Sequence, residues 1–217
     1  MGTDIPNVGY LALPPAGTGR GLLVLQEWWG LVPHIRQVSD RFAAAGFVAL
    51  APDLFDGKQT TSPDEAQRLF MALNIEKTAR DLETAAGLLR GHDAVTGDKI
   101  GVVGFCMGGQ LALLAATLSG SYGAVIDFYG IHPKVQPDFS RLGAPVLGLF
   151  GAEDDFVPPA AVAQLETAVT EAGGAIATHT YQNAGHAFLN DTRPEAYQPE
   201  AATDAWQRSI DFLNQHL

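Results

Sequence analysis

Apolar runs and amphipathic stretches alternate along this chain from end to end. An apolar run over 21–26 predicts a buried strand. Residues 33–45 follow with Ile35, Val38, Phe42 and Ala45 on one helical face, and Gly46 is placed to end that helix. The run over 47–51 predicts the next strand, stopped by Pro52. Ser62-Pro63-Asp64-Glu65 predicts a helix start, with Ser62 as N-cap, Pro63 in the first turn and Glu65 closing a capping box. That helix runs to Leu73, and a second spans 75–90 before Gly91. Strands are predicted over 100–105, 123–128, 145–150 and 175–181. Helices are predicted over 110–116, 158–172 and 200–217, the last with Trp206, Ile210 and Leu213 facing inward. This alternation predicts an α/β architecture, a doubly wound and mostly parallel sheet flanked by helices. No linker, repeat or low-complexity tract breaks it, so residues 1–217 read as one domain.

Ligands of such sheets bind at the carboxyl ends of the strands, so the loops there carry the chemistry. After 100–105 comes Gly104-Phe105-Cys106-Met107-Gly108, a G-x-C-x-G followed by a good helix former. A strand, a nucleophile between two glycines and a helix form the nucleophile elbow of α/β-hydrolases, here with Cys in place of Ser. The turn is too tight for side chains at the glycines, and the helix dipole beneath the sulfur favours thiolate. A phosphate-binding loop fails on pattern, because neither G-x-G-x-x-G nor Gly-Lys-Ser/Thr is present. After 145–150 comes Gly151-Ala-Glu-Asp154-Asp155, and after 175–181 comes Gly185-His186. The chain order nucleophile, acid, histidine is that of the α/β-hydrolases.

Chemistry assigns the roles. Cys106 attacks a carbonyl carbon, His186 moves the proton and later activates water, and Asp154 or Asp155 orients His186. The developing oxyanion needs donors, and the backbone N–H groups of Met107 and Trp28 are the candidates. Glu27, beside Trp28, reads as a partner for the Cys106 thiol; its structural alternative is a strand-end residue bonded to backbone. His34, His92, His132, His179 and His216 lie on no matching loop and read as structural or surface residues.

Charge and composition narrow the partners. A net charge of −11 argues against nucleic acid and anionic membrane surfaces. With 47% hydrophobic residues the chain can build a sizeable core. A single cysteine allows no internal disulfide and no cysteine-based zinc pattern, and no apolar stretch approaches a membrane span. The expectation is a cytoplasmic, soluble protein, monomeric or a small homo-oligomer, acting on a small molecule.

Several stretches together resemble the dienelactone hydrolase family, the carboxymethylenebutenolidases. They are Gln26-Glu27-Trp28-Trp29-Gly30, Ala51-Pro52-Asp53-Leu54-Phe55, Gly104 to Gly109 with Cys106, Tyr129-Gly130, Gly151 to Pro158, and Ala184-Gly185-His186-Ala187-Phe188. The resemblance implies an α/β-hydrolase without a large cap, no metal and no organic cofactor, and hydrolysis of dienelactone to maleylacetate. It implies a triad of Cys106, Asp154 and His186, and so chooses Asp154 over Asp155. It gives Glu27 the task of taking the Cys106 proton once substrate binds. Trp29, Tyr129, Phe188 and Arg193 are then the expected substrate contacts, with Trp28, Phe55 and Phe70 as further aromatic walls. The family holds a substrate carboxylate with two arginines. At one position this chain offers Lys58 and Pro63, and at the other, four residues after His186, it has Asn190. Arg193 or Arg68 are the possible substitutes. A related esterase or thioesterase, or a ligand-binding module without turnover, are the other readings of the same scaffold.

Overall fold

The structure, a computed structural model, describes residues 2–217. Its eight strands are β1 (Thr3–Ile5), β2 (Gly9–Ala12), β3 (Gly19–Leu25), β4 (Phe47–Pro52), β5 (Val95–Phe105), β6 (Tyr122–Phe128), β7 (Val146–Gly151) and β8 (Ile176–Tyr181). They form one sheet in the order β1-β2-β4-β3-β5-β6-β7-β8. Every pairing from β4 to β8 is parallel, while β1 with β2 and β2 with β4 are antiparallel. The six helices are α1 (Pro33–Ala44), α2 (Pro63–Ala72), α3 (Ile75–Arg90), α4 (Met107–Leu118), α5 (Pro159–Glu171) and α6 (Pro199–His216).

Alternation along the strands divides the core in two. Leu22, Val24, Val103 and Phe105 join Ile35, Phe42, Ala205 and Leu213 of α1 and α6 on one face. Leu23, Leu25, Ile100 and Val102 join Phe70, Leu82, Leu89 and Leu111 of α2, α3 and α4 on the other. Burial on both faces is why these strands are continuous apolar runs. Helix α4 is buried on nearly every side, from Met107 to Thr117 apart from Gln110.

Local details depart from the sequence pattern at five places. The β1–β2 hairpin was not legible, because its strands are three and four residues long and β1 is largely exposed. Strand β5 begins at Val95 rather than Ile100, its first five residues being mostly exposed. The capping box does not form: the Ser62 side chain caps nothing, and Glu65 accepts from the Thr60 hydroxyl at 2.7 Å. Thr60 Oγ1 in turn accepts from the Ser62 amide at 3.0 Å, which takes the donor Glu65 would have used. Ala45 is exposed as the C-cap of α1, and Ala43 takes the buried position. On α6, Leu213 is fully buried, while Trp206 and Ile210 are half-buried against the same core.

One buried carboxyl underlies the site. Asp127, on β6, is fully buried between β6 and the start of α4. A Cβ built on Gly109 or on Gly130 would lie 2.2 Å from its Oδ1, so both neighbours must be glycine. Burial pushes the Asp127 carboxyl up to about 7. Because the folded value lies above the unfolded one, stability from this group is complete below the unfolded value and is lost as pH rises through 7. Asp127→Asn removes the titration. Its melting temperature relative to the native chain should climb from pH 4 to pH 8 and then level off. The span corresponds to at most about 4 kcal/mol. A difference that stays flat with pH in thermal denaturation would overturn the assignment.

Candidate active site

The turn from β5 into α4 is built by backbone crowding. A Cβ on Gly104 would sit 1.8 Å from the Gly108 carbonyl oxygen, and one on Gly108 would sit 2.4 Å from that of Leu25. Cys106 between them has φ 54° and ψ −118°. That conformation costs a non-glycine residue about 1–3 kcal/mol. Its neighbours hold it there. The Cys106 amide donates to Phe128 O at 3.0 Å, and its carbonyl accepts from the amides of Gly109 at 2.9 Å and Ile131 at 3.1 Å. Burying one leucine of α4, such as Leu111, contributes about 1.5–3 kcal/mol, enough to offset the strain.

The loops after β7 and β8 meet beside this turn. A Cβ on Gly151 would lie 2.2 Å from Ala184 O, and the Glu153 amide donates to that same oxygen at 3.0 Å. This junction brings His186 to Asp154, with Nδ1 and Oδ2 2.8 Å apart. Asp154 Oδ1 accepts from the amides of Phe156 at 2.8 Å and Val157 at 3.0 Å. Burial alone would raise the Asp154 carboxyl, but the His186 hydrogen bond and charge, with the two amides, hold it below the ordinary range. Burial alone would lower His186, but its bond to Asp154 and its interaction with Cys106 push it up to about 10. With Cys106 ionised the ring is therefore doubly protonated, and its Nδ1–H donates to Asp154. It packs between the rings of Tyr129 and Phe156, each centred 5.1 Å away. Asp155 is exposed and takes no part.

Glu27 follows β3 and is buried at 1% exposure. Its Oε2 accepts from Asn190 Nδ2 at 3.0 Å, and its Oε1 has no partner among the described residues. Asn190 Oδ1 accepts from the Thr192 amide and hydroxyl at 3.1 Å and 2.7 Å, which fixes the direction of its amide. Burial raises the Glu27 carboxyl, against the opposing pull of His186 and Arg193. Among the described residues, the amides of Trp28 and Met107 find no backbone acceptor outside a helix or strand, and Met107 opens α4, where amides lack an intrahelical partner.

A cavity of about 730 Å³ opens over these groups. Cys106, His186, Trp28, Trp29, Phe70 and Arg193 line it, as the sequence suggested. Tyr129, Phe188 and Phe55 do not. Tyr129 and Phe188 are fully buried, their rings 5.4 Å apart beneath His186, and Phe55 belongs to the core on the α3 side. Tyr129 and Phe188 support the site from below instead of walling it. Arg68 and Lys58 stay outside. Of the five other histidines, none lines the cavity; His34 and His132 are buried, and His132 bonds to Phe70 O at 3.0 Å. Among the residues missed are two beside the proposed catalytic groups. Phe156, 61% exposed, lies over His186, and a lone apolar residue in an acidic loop was its only signal. Asn190 was read as an unmatched position, whereas it is the hydrogen-bond partner of Glu27.

Comparison with known proteins agrees with this architecture. The family model "Dienelactone hydrolase family" matches residues 8–217. A relative named "Putative carboxymethylenebutenolidase" in Aquifex aeolicus is 30% identical, with 96% of this chain and 93% of that protein covered. A Bradyrhizobium protein named "Probable 2-oxo-3-(5-oxofuran-2-ylidene)propanoate lactonase" is 31% identical, covering 97% of this chain and 90% of its own. A crystal structure described as a "Putative Dienelactone Hydrolase" from Klebsiella pneumoniae superimposes with a TM-score of 0.87 at 29% identity, over 99% of this chain and 98% of that one. The match over nearly the whole length, on the same fold, places the chain in the dienelactone hydrolase family, a family of ester and lactone hydrolases.

Proposed function

We propose that this chain opens a lactone, or cleaves an activated carboxylic ester, through a thioester on Cys106. The reading rests on one observation above the others: His186, held from behind by Asp154, and the strained Cys106 line the same cavity. The relatives' names support the lactone class.

The proton bookkeeping follows from the electrostatics. Asp154 and an ionised Cys106 together hold a proton on His186, so once the sulfur is ionised the ring cannot keep the thiol proton as well. Glu27 can, because its Oε1 is free and burial makes its carboxylate more basic than usual. The thiolate then attacks the carbonyl carbon. The amides of Trp28 and Met107 stabilise the oxyanion. As the C–O bond breaks, His186 gives its Nε2 proton to the leaving oxygen, which in a lactone stays attached to the acyl group. Acylation removes the sulfur's negative charge, one of the supports of the imidazolium, and the ring becomes a base. It takes a proton from water, and the resulting hydroxide equivalent attacks the thioester. Collapse restores the thiolate and the imidazolium, and Glu27 returns its proton to sulfur. Asp154 stays ionised throughout and fixes the ring.

Three substitutions and one control test the scheme with an enol lactone and an aryl ester. Cys106→Ala should abolish turnover while the melting temperature holds, and unchanged turnover removes the central claim. Asp154→Asn should lower the rate about hundredfold or more and lower the His186 titration seen by NMR, whereas Asp155→Asn should do neither. Glu27→Gln should slow acylation by about 10²–10⁴ in stopped-flow experiments with little change in substrate binding. Equal losses in both would count against its role as proton acceptor.

A further inference from the structure

We propose that the cavity selects esters and lactones whose acyl part carries no negative charge, and that Glu195 sets this preference by holding Arg193. The inference rests on the hydrolase reading above and concerns the substrate of the same site.

Arg193 is the only lysine or arginine lining the cavity among the described residues. Its charge is already matched. The Arg193 Nε–H donates to Glu195 Oε1 at 2.9 Å, and the guanidinium lies 5.5 Å from the ring centre of Trp29. On its inner side it meets the field of buried Glu27. Glu153, also on the lining, adds a further exposed carboxylate. The Asn190 amide, which could have bonded an incoming carboxylate, is occupied by Glu27, and its carbonyl by Thr192. The remaining surface is mostly apolar, with Trp28, Trp29, Phe70, Met71, Ile131 and Phe156.

A substrate carboxylate entering this space loses water and meets only cations that already have a carboxylate partner, Arg193 with Glu195 and His186 with Asp154, so its desolvation is poorly compensated. It also approaches a chain of net charge −11, which slows encounter. An uncharged acyl group meets none of these penalties and gains by burial against the aromatic walls. Removing the Glu195 charge leaves Arg193 able to pair with an anion in the cavity.

The test uses two isosteric aryl esters, para-nitrophenyl 6-methylheptanoate and para-nitrophenyl hemiadipate, which differ in a terminal isopropyl or carboxylate group. For the native chain, kcat/KM should favour the neutral ester by about tenfold or more at low salt. Glu195→Gln should raise the ratio of charged to neutral kcat/KM about fivefold, and added salt should shrink that gain. Binding of both esters to Cys106→Ala, followed by tryptophan fluorescence, reads the same preference without turnover. Equal or better use of the hemiadipate by the native chain, or equal binding by Cys106→Ala, overturns the proposed charge selection. An unchanged ratio in Glu195→Gln overturns the part given to Glu195. Should the native chain turn over neither ester while Cys106→Ala still binds the neutral one more tightly, the hydrolytic scheme fails and the charge selection stands.

Discussion

The close approach of β5 and α4 is the constraint on which the rest depends. Gly108 lies so near both Gly104 and Leu25 that no side chain fits at either glycine. The chain can turn there only by passing through a residue with positive φ, and that residue is Cys106. Strain at this point is offset by burial of α4 and by the backbone hydrogen bonds that clamp the Cys106 peptide. Two other non-glycine residues with positive φ stand at the same end of the sheet. Tyr129 follows β6 and Ala187 follows His186. Five such residues occur among those described, so three of them around one cavity is a concentration of backbone strain where function is expected.

Around this turn, burial would push every titratable group toward its neutral form, and specific partners decide which groups resist. Asp154 has three hydrogen-bond donors and remains ionised. His186, next to it, gains enough from Asp154 and Cys106 to remain charged despite burial. Glu27 has one donor and one free oxygen, so burial wins and its proton affinity rises. Asp127, also fully buried, has its proton affinity raised by that burial. The site therefore contains two carboxylates with opposite tendencies. In the proposed scheme one orients and the other accepts a proton, the pattern expected when environments push paired groups apart.

Much of this was legible in the sequence because it depends on local pattern. The continuous apolar runs reported doubly buried strands, and G-x-C-x-G reported the tight turn. The separation of Asp154 from Asp155 was not local: both follow the same strand, and only the Asx turn onto Phe156 and Val157 directs one of them at His186. The same limit explains Tyr129 and Phe188. Aromatic residues next to site motifs read as walls, yet the positive φ of Tyr129 turns its ring under His186 and into the core. The β1–β2 hairpin escaped notice because edge strands of three and four residues carry too little alternation to register. The misread capping box shares that cause: the competing acceptor, Thr60, lies outside the helix pattern.

The partner of Glu27 connects the proton chemistry with the charge of the cavity. The family resemblance places an arginine four residues after the histidine, where this chain has Asn190. A guanidinium there would hold Glu27 ionised and lower its proton affinity. A neutral amide orients the same carboxylate without adding charge, so burial remains the larger effect and Glu27 stays basic. The exchange also leaves the cavity without a second arginine, and the one it has is faced by Glu195 and Glu27, while the charge of His186 is matched by Asp154. A more basic Glu27 and a cavity with no free positive charge are thus two results of one substitution. A substrate anion is not required to release Glu27 from a cation here, so in the proposed scheme Glu27 is available as proton acceptor before any charged ligand arrives.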